Sequence, residues 1–93
     1  MDDAGWTDRF IRHLEMERRL SPLTCKNYRR DLEALAAWLE QAGVEDWRRV
    51  DSEHIRAFSA TCFRKGLSAR SIQRRLSAAR TFFRYLIREK AVR

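Results

Sequence analysis

The stretch GLSARSIQRRLSAARTFFRYLI, residues 66–87, decides the fold because its apolar and basic side chains separate onto two helical faces. At about 100° of rotation per residue, the apolar side chains form one stripe that is predicted to be buried. That stripe comprises Ile72, Leu76, Ala79, Phe83 and Leu86, with Phe82 on its flank. The opposite face comprises Arg70, Gln73, Arg74, Ser77, Arg80, Arg84 and Arg88. The pattern predicts a long amphipathic helix that begins after Ser68, a favourable N-cap residue.

Two helices are predicted near the start of the chain. The first spans about residues 6–18, where apolar residues recur at helical spacing. The second begins at Ser21 and Pro22, because serine is a good N-cap and proline is tolerated at the first helical position. Gly43 marks its end, since glycine readily adopts the left-handed conformation that stops helices.

A third helix is predicted between these two and the basic one. Asp51 is its expected N-cap and Gly66 its expected stop. Trp47, in the connector before it, is predicted to fill part of the core. The buried residues expected on the first three helices are Trp6, Phe10, Ile11, Leu14, Leu23, Tyr28, Leu32, Leu35, Ala36, Leu39, Ile55, Phe58, Cys62 and Phe63.

No β pattern is present, so the predicted fold class is all-α: a four-helix bundle with short loops. The 93 residues are predicted to form one domain with a small core. The chain has no long uncharged apolar run, and its acidic start, MDDAGW, does not resemble a signal peptide. We therefore expect a cytoplasmic protein without a membrane partner.

Charge is distributed unevenly along the chain. Residues 1–47 carry a net charge of −3, whereas residues 48–93 carry +10. Such asymmetry favours a polyanionic partner, most simply nucleic acid. A well-solvated arginine-rich surface is the alternative explanation of the same pattern.

Donor-rich segments at the starts of the second and fourth helices are the candidate DNA-binding site. Arginine can bridge the O6 and N7 atoms of guanine or clamp a phosphate, and asparagine pairs with adenine. Serine hydroxyls and helix N-termini donate to phosphates. Two such helix starts favour a fold that presents both helices to one duplex. The candidate residues are Ser21, Thr24, Lys26, Asn27, Arg30, Lys65, Ser68, Arg70, Ser71, Arg74, Arg75 and Arg80.

The sequence offers little support for catalysis, a metal or a cofactor. His13 and His54 lie on different predicted helices, and neither belongs to a recognisable nucleophile pattern. Cys25 and Cys62 lack the paired spacing of zinc ligands, and we interpret them as small buried residues. Tyr85 is interpreted as a packing residue. We expect no catalytic residue, no cofactor and no small-molecule ligand.

Two segments resemble the N-terminal, core-binding domain of phage-integrase-type tyrosine recombinases. LSPLTCKNYRRDLEALAAWL, residues 20–39, is similar to the pattern L-S-x-x-T-x-x-x-Y-x-x-D-L. RKGLSARSIQRRLSAARTFFRYLI, residues 64–87, is similar to G-L-S-x-x-S-x-x-R-x-L-S-A-x-R-x-F-F-x-x-L. Within the family, the likeness is to the Xer recombinases, and to their XerC branch more than to XerD. The connector around Trp47 and the RKGLSA turn point that way.

This resemblance implies a SAM-like bundle whose second and fourth helices approach the major groove of a recombination half-site. It implies other recombinase protomers as partners, in a heterotetramer of XerC and XerD types that resolves chromosome dimers. The family's catalytic Arg, Lys, His and Tyr lie in a separate C-terminal domain, which we do not find in residues 1–93. The resemblance therefore implies a DNA-binding segment that has no catalytic role of its own.

Two other functions remain open on the residues alone. One is an unrelated helical nucleic-acid-binding regulator. The other is a protein-interaction bundle that docks a partner through the acidic first helix. The acidic residues at and before the first helix are Asp2, Asp3, Asp8, Glu15 and Glu17.

Overall fold

Caps and glycines divide the chain into four α-helices, as the sequence predicts. The computed structural model describes residues 5–93, and within that range no strand forms. The helices are α1 (Trp6–Met16), α2 (Pro22–Gln41), α3 (Ser52–Arg64) and α4 (Ala69–Arg88). A single 3₁₀ turn, Trp47–Arg49, lies between α2 and α3. The all-α prediction is confirmed, although α1 ends two residues earlier than expected.

The predicted N-caps are all in place. Ser21 accepts a hydrogen bond from the Thr24 amide at 3.2 Å, and Ser68 accepts one from the Ser71 amide at 3.1 Å. Asp51 accepts from the His54 amide, and the His54 ring accepts from the Asp51 amide in return. These bonds satisfy backbone donors that have no partner within their own helix.

Gly43 and Gly66 end α2 and α3 as predicted. Their φ angles are +83° and +88°, in the left-handed region that side chains with a Cβ disfavour. The chain can therefore turn sharply after each helix, and the connections stay short.

The helices α2 and α4 form the central pair of the fold, because each packs against all three other helices. α1 and α3 do not pack against each other; they lie on opposite sides of that pair. α1 and α2 form an antiparallel hairpin, since Asp8 pairs with Arg29 at 2.7 Å and Leu14 accepts the Leu20 amide. Among residues 5–93, no helix is long and apolar enough to cross a membrane.

Phe82 lies at the centre of the core. Its side chain is fully buried, and its ring contacts the rings of Phe10 and Trp47 at centroid distances of 5.3 Å and 4.8 Å. Trp47 is 4% exposed, which confirms that the connector fills the core. Among residues 5–93, the largest fully buried side chains are Phe10, Leu14, Leu32, Leu35, Leu39, Phe82 and Leu86.

Three predicted positions on the apolar stripes are wrong. In α4, Phe82 is the core residue and Phe83 is only partly buried, because the core stripe is centred nearer Phe82 and Leu86. Phe63 is 74% exposed, since it lies about 100° beyond the buried Cys62 in the last turn of α3. Leu23 is 67% exposed because it lies about half a turn away from Leu32.

A pair of phenylalanine substitutions tests this core. Phe82→Ala removes a fully buried ring, and we expect it to lower the free energy of unfolding by about 3–5 kcal/mol. Phe63→Ala is the matched control; its ring is already exposed, so we expect a change of less than about 0.5 kcal/mol. Urea denaturation followed by circular dichroism measures both, and equal losses would contradict the assigned core.

Candidate nucleic-acid interface

A shallow groove between α2 and α4 brings together three of the predicted DNA-binding residues. Its volume is about 180 Å³. Thr24, Asn27 and Arg74 line it. Tyr28, Asp31, Ser77 and Ala78 complete the lining. The groove therefore combines hydroxyl, amide and guanidinium groups, the donor types that contact base edges and phosphates.

An ion pair between Asp31 and Arg74 forms the centre of this groove. Arg74 donates from Nε to Oδ2 of Asp31 at 3.0 Å and from Nη2 to Oδ1 at 2.9 Å. The Asp31 side chain is 2% exposed, whereas that of Arg74 is 43% exposed. The bond to Asp31 raises the pKa of the Arg74 guanidinium above its ordinary value, so the group stays charged.

This geometry gives Arg74 a fixed orientation. The planar fork matches a carboxylate with two parallel hydrogen bonds, which hold the guanidinium more firmly than a single contact would. Its remaining N–H groups stay available on the exposed side. Arg74 is therefore a pre-oriented donor whose charge is largely balanced by the buried carboxylate.

Asn27 is also held in place, by its neighbour one turn along α2. Arg30 donates from Nη2 to the Asn27 side-chain oxygen at 3.0 Å. That bond leaves the amide nitrogen of Asn27 as a donor at the groove.

Paired hydroxyl groups lie at both helix starts. Ser21 donates to the Thr24 hydroxyl at 2.8 Å and also caps α2. Ser68 and Ser71 form the corresponding pair at the start of α4, at 3.1 Å.

Other predicted residues face elsewhere. Lys26 lines a cavity between α1 and α2, and Arg80 lines one between α3 and α4. Arg75 leans on α3: its Nη1 approaches the Cys62 sulfur at 3.6 Å. Its Nε is buried and has no partner in the part of the chain that the structure describes. Lys65 and Arg70 are exposed around the start of α4. The twelve candidates therefore do not share one surface.

The two donor-rich helix starts lie at opposite ends of the groove. α2 and α4 run in opposite directions, because Asp31 is opposite Arg74 while Thr24 and Asn27 share the groove with Ser77. The two helix starts therefore belong to an extended surface, and the prediction that both helices contact one duplex stays a prediction. A duplex in contact with both starts would have to follow the length of the α2–α4 pair.

Asp31 lines the groove but was not among the residues predicted from the sequence. In the sequence, Asp31 matches the aspartate of the first motif, and its position beside the predicted core residue Leu32 indicated that its carboxylate could be buried. A carboxylate on a buried helical face requires a cation or hydrogen-bond donors. Ser77 is exposed, as predicted, and it also lines the groove.

The two cysteines are packing residues in this structure. Cys25 and Cys62 are both 3% exposed and lie on different helices. Burial raises the pKa of the Cys25 thiol, with a smaller contribution from Glu15, so it stays protonated. Residues 5–93 contain no cluster of three or more His, Cys, Asp or Glu side chains that could hold a metal ion.

The acidic face proposed for protein docking is partly occupied by contacts within the chain. Asp8 pairs with Arg29, and Glu17 contacts His13 at 2.8 Å and Arg88 at 3.8 Å. Glu15 is exposed. Asp2 and Asp3 lie outside the described residues.

Comparison with known proteins agrees with the fold and the motifs. The family described as "Phage integrase, N-terminal SAM-like domain" matches residues 7–90. Tyrosine recombinase XerC of Escherichia coli O157:H7 is 40% identical over 86 residues, which cover 92% of this chain and 29% of the relative. Tyrosine recombinases XerC of Shigella dysenteriae serotype 1 and of Shigella flexneri match with the same identity and coverage.

The chain spans about 29% of the length of these curated relatives. No solved structure gives a significant match. The predicted likeness to phage-integrase-type recombinases of the XerC branch is confirmed.

A double-mutant cycle tests the Asp31–Arg74 pair. Arg74→Ala leaves a buried carboxylate without its cation, so we expect the free energy of unfolding to fall by about 3 kcal/mol. We expect Asp31→Ala with Arg74→Ala to cost less than the sum of the single changes, by about 0.5–3 kcal/mol. Urea denaturation of the four proteins measures this coupling.

Arg56→Ala is the control for that cycle. Arg56 pairs with Glu53 at 2.6 Å, but both side chains are more than 70% exposed. Its loss should therefore change stability by less than about 1 kcal/mol. Strictly additive effects at Asp31 and Arg74 would contradict a coupled pair.

Proposed function

The chain belongs to the phage integrase N-terminal SAM-like domain family, and from that premise we propose that it binds duplex DNA at a recombination half-site. The observation that carries the proposal is the α2–α4 groove, where Arg74, Asn27 and Thr24 are brought together. The XerC relatives support a tyrosine recombinase of the Xer type as the whole protein.

The groove residues are suited to different parts of the duplex. Arg74 is oriented by Asp31 and can donate two hydrogen bonds to the O6 and N7 atoms of guanine. The nearby carboxylate disfavours a phosphate at the same position, so we assign Arg74 to a base edge. Asn27 can pair with adenine, and the hydroxyls of Thr24 and Ser77 can donate to phosphates.

Basic residues outside the groove supply attraction to the DNA phosphates that does not depend on the base sequence. Residues 64–93 contain ten Lys and Arg side chains and one acid, Glu89. Lys65 and Arg70 are exposed near the start of α4, where the helix N-terminus also favours an anion. We assign both of them, with Ser68 and Ser71, to the phosphate backbone. Arg75 and Lys26, which face other helices, have less support as contacts.

In the whole protein, we propose that this segment forms one side of a clamp on DNA. Its partners would be further recombinase protomers of XerC and XerD types, assembled as a heterotetramer that resolves chromosome dimers in the cytoplasm. The strand-exchange chemistry would belong to another part of the protein. For residues 1–93 we propose binding without catalysis.

Fluorescence anisotropy with two labelled duplexes tests this function. We expect tighter binding to a Xer-type half-site than to a scrambled duplex, with a dissociation constant on the order of micromolar at physiological salt. If about five cations meet phosphates, log K should fall with log salt at a slope of about −4 to −5. Equal and weak binding to both duplexes at low salt, without a salt slope, would contradict the proposal.

Two amide substitutions locate the binding surface. Asn27→Ala should weaken half-site binding by about 1–3 kcal/mol and reduce the preference over the scrambled duplex. Gln41→Ala removes an amide from the exposed C-terminal end of the same helix and should change neither. Identical effects of the two substitutions in the anisotropy assay would place the site elsewhere.

A further inference from the structure

We propose that the cleft between α1 and α4 is a second anion site, which holds a phosphodiester group of the duplex beyond the α2–α4 groove. The inference rests on the proposed function and extends it to residues outside the predicted site. The cleft has a volume of about 190 Å³. Its polar lining consists of His13, Arg18, Thr81, Arg84, Tyr85 and Arg88.

The charges in this cleft are only partly balanced. Arg88 contacts Glu89 at 3.0 Å and Glu17 at 3.8 Å, and Glu17 also contacts His13. Within the described residues, neither Arg18 nor Arg84 forms an ion pair. Two guanidinium groups therefore border the cleft without a carboxylate partner among residues 5–93. A phosphate oxygen is the ligand for which such groups are best suited.

The same cleft offers neutral donors beside the two guanidiniums. The Thr81 hydroxyl lies on α4 between Ser77 and Arg84, and the Tyr85 phenol lies on the wall shared with α1. Desolvation is the main reason that the pKa of Tyr85 is raised, so its hydroxyl keeps its proton. Neither Asn nor Gln lines the cleft. This donor set favours a phosphate over a base edge.

The position of the cleft along α4 agrees with a contact to the sugar-phosphate backbone of DNA. Arg74, Ser77, Thr81, Arg84 and Arg88 fall within an arc of about 80° on one edge of the helix. From Arg74 to Arg88 the helix rises about 21 Å. The major groove is about 12 Å wide. In the proposed orientation α4 crosses the major groove, so that when Arg74 reaches a base edge the cleft lies beyond the groove, at the height of the sugar-phosphate backbone.

Salt-dependent anisotropy with charge-removing variants tests this site. Arg18→Gln and Arg84→Gln should each weaken binding, and each lost phosphate contact should reduce the steepness of the salt slope by about 0.9. The half-site and the scrambled duplex should be affected alike, because a phosphate contact carries no sequence information. Arg56→Gln, on exposed α3, removes the same charge as a control and should leave the slope unchanged.

Different negative results would overturn the second anion site alone or the proposed DNA binding as well. Unchanged slopes for both variants, with binding still weakened by Asn27→Ala, would overturn the second site alone. A loss confined to the half-site would also overturn it, because the cleft would then read a base. Absence of duplex binding by the unaltered chain would overturn both proposals together.

Discussion

The rest of the structure depends on the ion pair that joins the middle of α2 to the start of α4. Asp31 is almost completely buried, and an isolated carboxylate there would be costly to desolvate. Arg74 satisfies both of its oxygens, and this fixes how the two central helices face each other. α1 and α3 then pack on opposite sides of that pair. One contact thus links the packing of the bundle to the shape of its groove.

The same contact shows how a structural residue would serve the proposed DNA binding. Arg74 is held by two hydrogen bonds on one edge of its guanidinium and stays exposed on the other. A donor that is oriented before DNA arrives loses little side-chain entropy on binding. Asn27 is similarly held by Arg30. The groove is therefore organised by contacts within the protein, whereas Arg18 and Arg84 form no ion pair within residues 5–93 and are proposed to meet a phosphate.

Local sequence signals predicted the helices and their caps, whereas the orientation and pairing of individual side chains depended on tertiary packing. Ser21, Ser68 and Asp51 act as caps because capping depends only on the next turn of the helix. Whether Phe82 or Phe83 points inward depends on where α1 and the connector pack, and this cannot be read from α4 alone. The exposure of Phe63 likewise depends on tertiary packing.

The different surroundings of Arg74 and Arg75 could not be predicted without the position of α3. Adjacent residues of a helix point about 100° apart, so Arg74 meets Asp31 on α2 while Arg75 lies against Cys62 on α3. The pairing of Asp31 with Arg74 joins residues 43 positions apart, beyond the reach of helical periodicity.

A ¹⁵N–¹H NMR titration of the chain with a half-site duplex tests most directly whether the α2–α4 groove binds DNA. We expect the largest chemical-shift changes on the amides of Thr24, Asn27 and Ser77 and on the Arg74 Nε signal. The amides of the exposed α3 residues Glu53, Arg56, Ala57 and Ala60 should move little. Shift changes concentrated on α3, with none in the α2–α4 groove, would show that DNA binds elsewhere.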